Sequence, residues 1–106
     1  MIFIVVKFPV KPEHADAWPE LVADFTAGTR GEEGNLFFDW ARSLDDPNEY
    51  VLTEGFADDG AEAHVNSDHF KAAVADLPQY LAHTPKIISE KIGADCWGPM
   101  GEMQVD

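Results

Sequence analysis

Apolar and polar positions divide this chain into short, sharply bounded segments. Ile2 to Phe8 (IFIVVKF) is β-branched or aromatic except at Lys7, with apolar side chains on both alternating faces. That is the pattern of a strand covered on both sides. Pro9 and Pro12 end it, and Pro12 suits the first position of a helix. Beyond Glu13, the residues Trp18, Leu21, Val22 and Phe25 recur at i, i+3, i+4 and i+7, one face of a helix. Pro19 lies within the opening turns if that helix starts near Asp16; otherwise it bends the helix. Gly28, Gly31 and Gly34 are expected to end it.

Asn35 to Leu44 reads as a second strand, with Leu36, Phe38 and Trp40 on one face and Phe37, Asp39 and Ala41 on the other. Asp45-Asp46-Pro47-Asn48 is a turn cluster, so Glu49 to Phe56 is the antiparallel hairpin partner, with Tyr50, Leu52, Glu54 and Phe56 on a common face. Asp58 or Asp59 is expected to cap a helix through Ala61, Ala63, His64 and Val65. Ser67 is expected to cap a second one carrying Phe70, Val74 and Leu77, which Pro78 interrupts. Lys86 to Ile92 is the fourth strand.

The order is β-α-β-β-α-β, an α+β ferredoxin-like plan with a four-stranded antiparallel sheet. Its helices cover one sheet face. Phe3, Val5, Phe37 and Val51 on the other face need a lid that the chain does not supply, which predicts a homodimer. Residues 1–92 form the domain. The tail, 93–106, is rich in Gly, Pro and Met, yet Cys96, Trp97, Pro99, Met100 and Met103 are apolar. It is expected to pack on the dimer or over the barrel mouth, with Trp97 as its anchor.

Composition narrows the partners. Seven Lys and Arg against 20 Asp and Glu give 106 residues a formal net charge of −13. Such a surface repels phosphate backbones and anionic lipid, which argues against nucleic-acid and membrane roles. The opening apolar run is too short for a membrane span and lacks a basic region before it. A lone cysteine, Cys96, fits a reducing cytoplasm. His14, His64, His69 and His83 show no metal-ligand spacing, and no glycine-rich phosphate loop follows a strand.

Three strings carry a family resemblance: Glu32-Glu33-Gly34-Asn35-Leu36 followed by the aromatic Phe38; Tyr50 to Asp58 (YVLTEGFAD); and Ala63-His64-Val65-Asn66-Ser67-Asp68-His69-Phe70, an Ala-His-x-x-Ser-x-His-Phe pattern. Over roughly residues 1–92 the chain resembles the antibiotic biosynthesis monooxygenases, a family of dimeric α+β barrels. The resemblance implies oxidation of quinols or polycyclic phenols by O2 with no metal, flavin or haem. Such chemistry needs an apolar slot, a base and an oxyanion donor, because an electron-rich phenolate itself reduces O2. The family often carries Trp where this chain has Phe56, which removes an indole donor.

His64 shares a helix face with Ala61 and Val65 and is the candidate base for the phenolic proton. His69 at the next helix start and Asn35 are further catalytic candidates, while Phe38, Trp40, Leu52, Glu54 and Phe56 are expected to bind substrate. The bland readings are a helix-junction role for both histidines, a turn role for Asn35, core packing for Trp40, and a pair with Arg42 across the hairpin for Glu54. The competing functions are a non-catalytic ligand-binding or stress-associated dimer and an isomerase. Haem degradation is disfavoured, since the helix after Ser67 (Phe70 to Ala75) has no axial His and the first strand has no Asn.

Overall fold

A computed structural model describes residues 1–105. Four strands, β1 (Ile2–Pro9), β2 (Asn35–Arg42), β3 (Glu49–Phe56) and β4 (Lys86–Lys91), form one sheet in the order β2-β3-β1-β4 with every pairing antiparallel. Helices α1 (Trp18–Leu21), α2 (Ala23–Arg30), α3 (Gly60–Val65) and α4 (Asp68–Asp76) lie between them. This is the ferredoxin-like plan.

The first helical stretch is more broken than its periodicity suggests. A 3-10 turn at Pro12–His14 precedes α1, Pro19 sits in the opening turn of α1, and Val22 interrupts the spiral before α2. Each proline falls where its missing N–H has no intrahelical partner to lose. Gly28 does not end the helix: α2 runs through it to Arg30, with Gly31 as its C-cap. The reason is a close contact, since a Cβ on Gly28 would lie 2.6 Å from Cγ of His69.

In β2 the alternation fails at one point. Asn35 pairs with Phe56 and Phe37 with the adjacent Gly55, so Leu36 is the extra residue of a bulge and stands exposed, off the face of Phe38 and Trp40. The strand stops at Arg42 rather than Leu44, because Ser43 Oγ accepts the backbone N–H groups of Asp45 and Asp46 and turns the chain. Asp59 is the N-cap of α3 without a side-chain bond. Asp58 is instead drawn to Lys91 and to the chain's amino terminus, which hold its carboxyl below the ordinary range. Ser67 caps α4 as expected, its Oγ accepting from Phe70 N–H.

Tyr50, Leu52, Glu54 and Phe56 are all buried on the helix side of β3. Two clusters form the core there: Val10, Trp18, Val22, Tyr50 and Leu77 under α1, and Ile4, Val6, Phe38, Leu52 and Phe56 under α2 and α3. On the opposite face Phe3, Val5, Phe37 and Val51 remain half-buried and Ile88 is exposed. The tail reaches this face, where the Trp97 ring packs at a tilt against Phe37 at 5.2 Å and Phe37 meets Phe3 at 6.3 Å. Among the described residues no helix is long and apolar enough to cross a membrane.

Candidate functional site

A cavity of about 350 Å³ opens between the helix side of the sheet and α3–α4. Ile4, Val6 and Leu52 form its floor, Phe70 and Val74 its roof, and Ile87 stands at the β4 side. Among the described residues that line it, only Glu54 and His64 are polar. A site of this kind holds a mostly apolar ligand and addresses one small part of it with charge or a hydrogen bond.

Glu54 faces inward because β3 alternates, and its strand neighbours Leu52 and Phe56 are core residues. The expected pair with Arg42 does not form. Arg42 stands opposite Tyr50 while Glu54 stands opposite Phe38. The Arg42 guanidinium bonds Pro47 O and Asp16 and lies over the Tyr50 ring. Buried and cationless, the Glu54 carboxyl is pushed up to about 7, first by desolvation and then by the neighbouring Glu32 charge.

His64 points at the sheet, only 4% exposed, among the rings of Phe25, Phe38, Phe56 and Phe70 at centroid distances of 4.8 to 6.4 Å. Its two nitrogens meet different carboxylates. Nδ1 lies 2.8 Å from Glu32 Oε2, and Nε2 lies 3.8 Å from Glu54 Oε1. A carboxylate only accepts, so Nδ1 carries the hydrogen toward Glu32, and in the neutral ring Nε2 keeps its lone pair on the cavity side. Glu32 Oε2 also bonds His69 Nε2, at 2.5 Å.

Glu32 is the residue that sequence reading missed as a site member. It sits in the loop between α2 and β2, and one backbone contact carries it to α3. Gly34 and Gly60 approach so closely that a Cβ on Gly34 would lie 2.7 Å from Gly60 Cα, and Ala57 N–H donates to Gly34 O. The available signal was the Glu32-Glu33-Gly34 string itself. Ser67 Oγ in turn donates to His64 O, locking the junction that sets both histidines.

Glu32, His64 and His69 are also a group of three whose ligand atoms lie within 4.8 Å of one another. Donors sharing one tetrahedral ion at 2.0–2.1 Å stand about 3.3 Å apart. The separations of 2.5 and 2.8 Å in this arrangement are those of hydrogen bonds between the imidazoles and the carboxylate.

The other expected site residues divide. Leu52, Glu54 and His64 line the cavity; Phe38 and Phe56 lie behind His64 as its packing; His69 stands at the far side of Glu32. Asn35 donates Nδ2 to the carbonyls of Phe37 and Gly55, which spends its amide on the bulge. Trp40 lines a different cavity, also about 350 Å³, with Trp18, Thr26, Arg30 and Tyr50. There Trp40 Nε1 donates to Thr26, Arg30 to Phe38 O, and Tyr50 to Ala15 O, while Trp18 Nε1 is buried without a partner among the described residues. Charge free to act on a ligand is thus concentrated at Glu54 and His64.

Several solved structures share this fold. A protein of Deinococcus radiodurans assigned to the antibiotic biosynthesis monooxygenases superposes with TM-score 0.82 at 22% identity, over 95% of this chain and all of that one. One from Caulobacter crescentus, assigned likewise, gives 0.80 at 26% over 88% and 90%. A conserved protein of Methanosarcina mazei gives 0.79 at 26% over 85% and 90%. Comparison with curated proteins finds no sequence match. The sequence model of one family spans residues 1–76, from β1 to the end of α4, and so contains Glu32, Glu54, His64 and His69 together. By that match the chain belongs to the antibiotic biosynthesis monooxygenase family.

Proposed function

We propose that this protein is a cofactor-independent monooxygenase that oxidises a quinol or polycyclic hydroxylated aromatic with O2. The supporting observation is an apolar cavity whose polar lining is one imidazole and one carboxyl, the latter pushed up to about 7. The ligand hydroxyl gives its proton to Nε2 of His64, with Glu54 alongside. Glu32 positions the ring, and Asn35 shapes the bulge beneath. The surrounding apolar wall keeps water from the electron-rich anion.

The phenolate supplies the electrons. For a polycyclic phenol with a para methylene group, one electron passes to O2, the radical pair combines in a C–O bond, and a proton returns to the peroxide. Loss of water then leaves a carbonyl: CH2 and O2 become C=O and H2O. A homodimer closed over the face of Phe3, Val5, Phe37 and Val51 completes the proposal, working in a reducing cytoplasm that suits the exposed thiol of Cys96.

The test is O2 uptake by purified protein with hydroquinones and anthrone-like phenols in the presence of a metal chelator. His64→Gln should lose ~10²–10⁴ in rate, the usual worth of a general base. Absence of uptake with every electron-rich phenol would leave a ligand-binding dimer as the better reading. Full activity in the variant would remove His64 from the chemistry.

A further inference from the structure

Glu32 and His69 do not line the main cavity, yet they are joined to it through His64. His69 is the more open end of the trio, its side chain 24% exposed against 5% for His64. It lines a second cleft of about 130 Å³ on the other side of α4, together with Asp24 of α2 and Asp76 of α4. A chain of titratable groups therefore runs from the apolar cavity to a separate, acidic opening.

One carboxylate oxygen, Oε2 of Glu32, serves both imidazoles, while the other oxygen, Oε1, is buried without a partner among the described residues. The compensation of the Glu32 charge thus rests entirely on the two histidines. One imidazolium neutralises it. Two would place like charges on either side of a single carboxylate, in a setting where charge is weakly screened.

We propose that the His64–Glu32–His69 trio holds one extra proton at a time, so that a proton taken up by His64 from the ligand is matched by one released from His69 into the second cleft. The inference deepens the proposed function and rests on its reading of His64 as the base.

The balance is simple. In the proposed resting state the extra proton sits on His69, which gives Nε2–H to Glu32 and keeps its Nδ1 hydrogen on the side of Gly28, while His64 holds its hydrogen on Nδ1 toward Glu32. The ligand O–H bond breaks and its proton joins Nε2 of His64. His69 then loses its Nδ1 proton to water in the cleft that it lines with Asp24 and Asp76. One proton enters, one leaves, and the trio keeps its total charge. When the peroxide takes a proton back from His64, His69 regains one from the cleft. The cavity can thus change protonation state while a bound ligand blocks its own mouth. His69 and Glu32 act here as positioning residues, because neither touches the ligand.

The charged groups bearing on His64 and His69 are Glu32 from the α2–β2 loop, Glu54 from β3, Asp24 from α2 and Asp76 from α4. Two substitutions should therefore move His64 in opposite directions. His69→Gln leaves Glu32 with His64 as its sole cation partner and should raise the His64 titration midpoint by about one pH unit, a tenfold gain in proton affinity. Glu32→Gln removes the anion and should lower it by at least as much.

The readout is NMR titration of the His64 ring in ligand-free, labelled protein, with the pH limb of kcat followed alongside. Shifts of the same sign, or none, overturn the proposal. Should either variant fail to fold, the wild-type titration decides: His64 and His69 must show the same two inflections, and independent single curves defeat the idea. Opposite shifts in a protein that oxidises no phenol would sink the proposed function and leave the proton exchange standing. Oxidation without the shifts does the reverse.

Discussion

Glu54→Gln tests the site through stability, with no substrate needed. In the folded chain the Glu54 carboxyl ionises near 7, against 4.5 for the free group, because the β3 alternation buries it beside Glu32. Each pKa unit is worth about 1.4 kcal/mol, so ionising it in place costs ~3 kcal/mol relative to the unfolded chain. The sign follows from proton counting. Between pH 4.5 and 7 the folded state binds more protons than the unfolded state, so stability falls as pH rises. The contribution is complete below pH 4.5 and is lost as pH passes through 7.

Glutamine keeps the shape and cannot ionise. Urea unfolding of both proteins at pH 5 and pH 8, at one fixed protein concentration, should show wild type losing about 2 to 3 kcal/mol more than the variant over that interval. All other titrating groups are common to both chains and cancel in the comparison. Parallel pH profiles, agreeing within ~0.5 kcal/mol, would show that Glu54 is solvated and that the cavity floor is not as described.

Three further outcomes follow from particular contacts. Gly28→Ala, a change that ordinarily stabilises a helix interior by about 0.5–1 kcal/mol, should here destabilise by ~1–3 kcal/mol, because the new methyl meets the His69 ring; a more stable variant in a denaturant melt would contradict this. Truncation after Ile92 removes the Trp97–Phe37 contact and should weaken self-association as well as stability; unchanged dimer affinity and melting point would count against a structural tail. Light scattering at micromolar concentration should give twice the 11.7 kDa chain mass, and a monomer mass would refute the face-to-face assembly.

The strands were readable because their period is short and local. β3 was found to the residue, and the burial of Tyr50, Leu52, Glu54 and Phe56 follows from alternation alone. Leu36 misled because a bulge is a single-residue change of register whose cause, the Asn35 amide bridging Phe37 and Gly55, spans two strands. Gly28 misled for a similar reason. Its lack of a side chain serves a contact with His69 from another helix rather than a helix end. The histidines were legible as candidates from their helix face and their spacing around Ser67, whereas their partner Glu32 lies 32 and 37 positions away along the chain. Nothing periodic marks such a residue.

The same long-range contacts explain why the site can hold two carboxylates and two imidazoles in so small a space. Isolated, a buried Glu32 would carry an uncompensated charge, and a buried His64 would resist protonation. Joined at one oxygen they stabilise each other, and the joint depends on the Gly34–Gly60 approach and on Ser67 fixing the turn between α3 and α4. Glu54 has no such cation of its own at hydrogen-bond distance, since His64 Nε2 is 3.8 Å away. Its raised pKa is therefore the counterpart of the well-paired Glu32: one carboxylate takes the histidines, and the other is left to face the cavity. Two acids of the same kind thus acquire different tasks from their surroundings alone, Glu32 holding charge and Glu54 standing ready to exchange a proton near neutral pH.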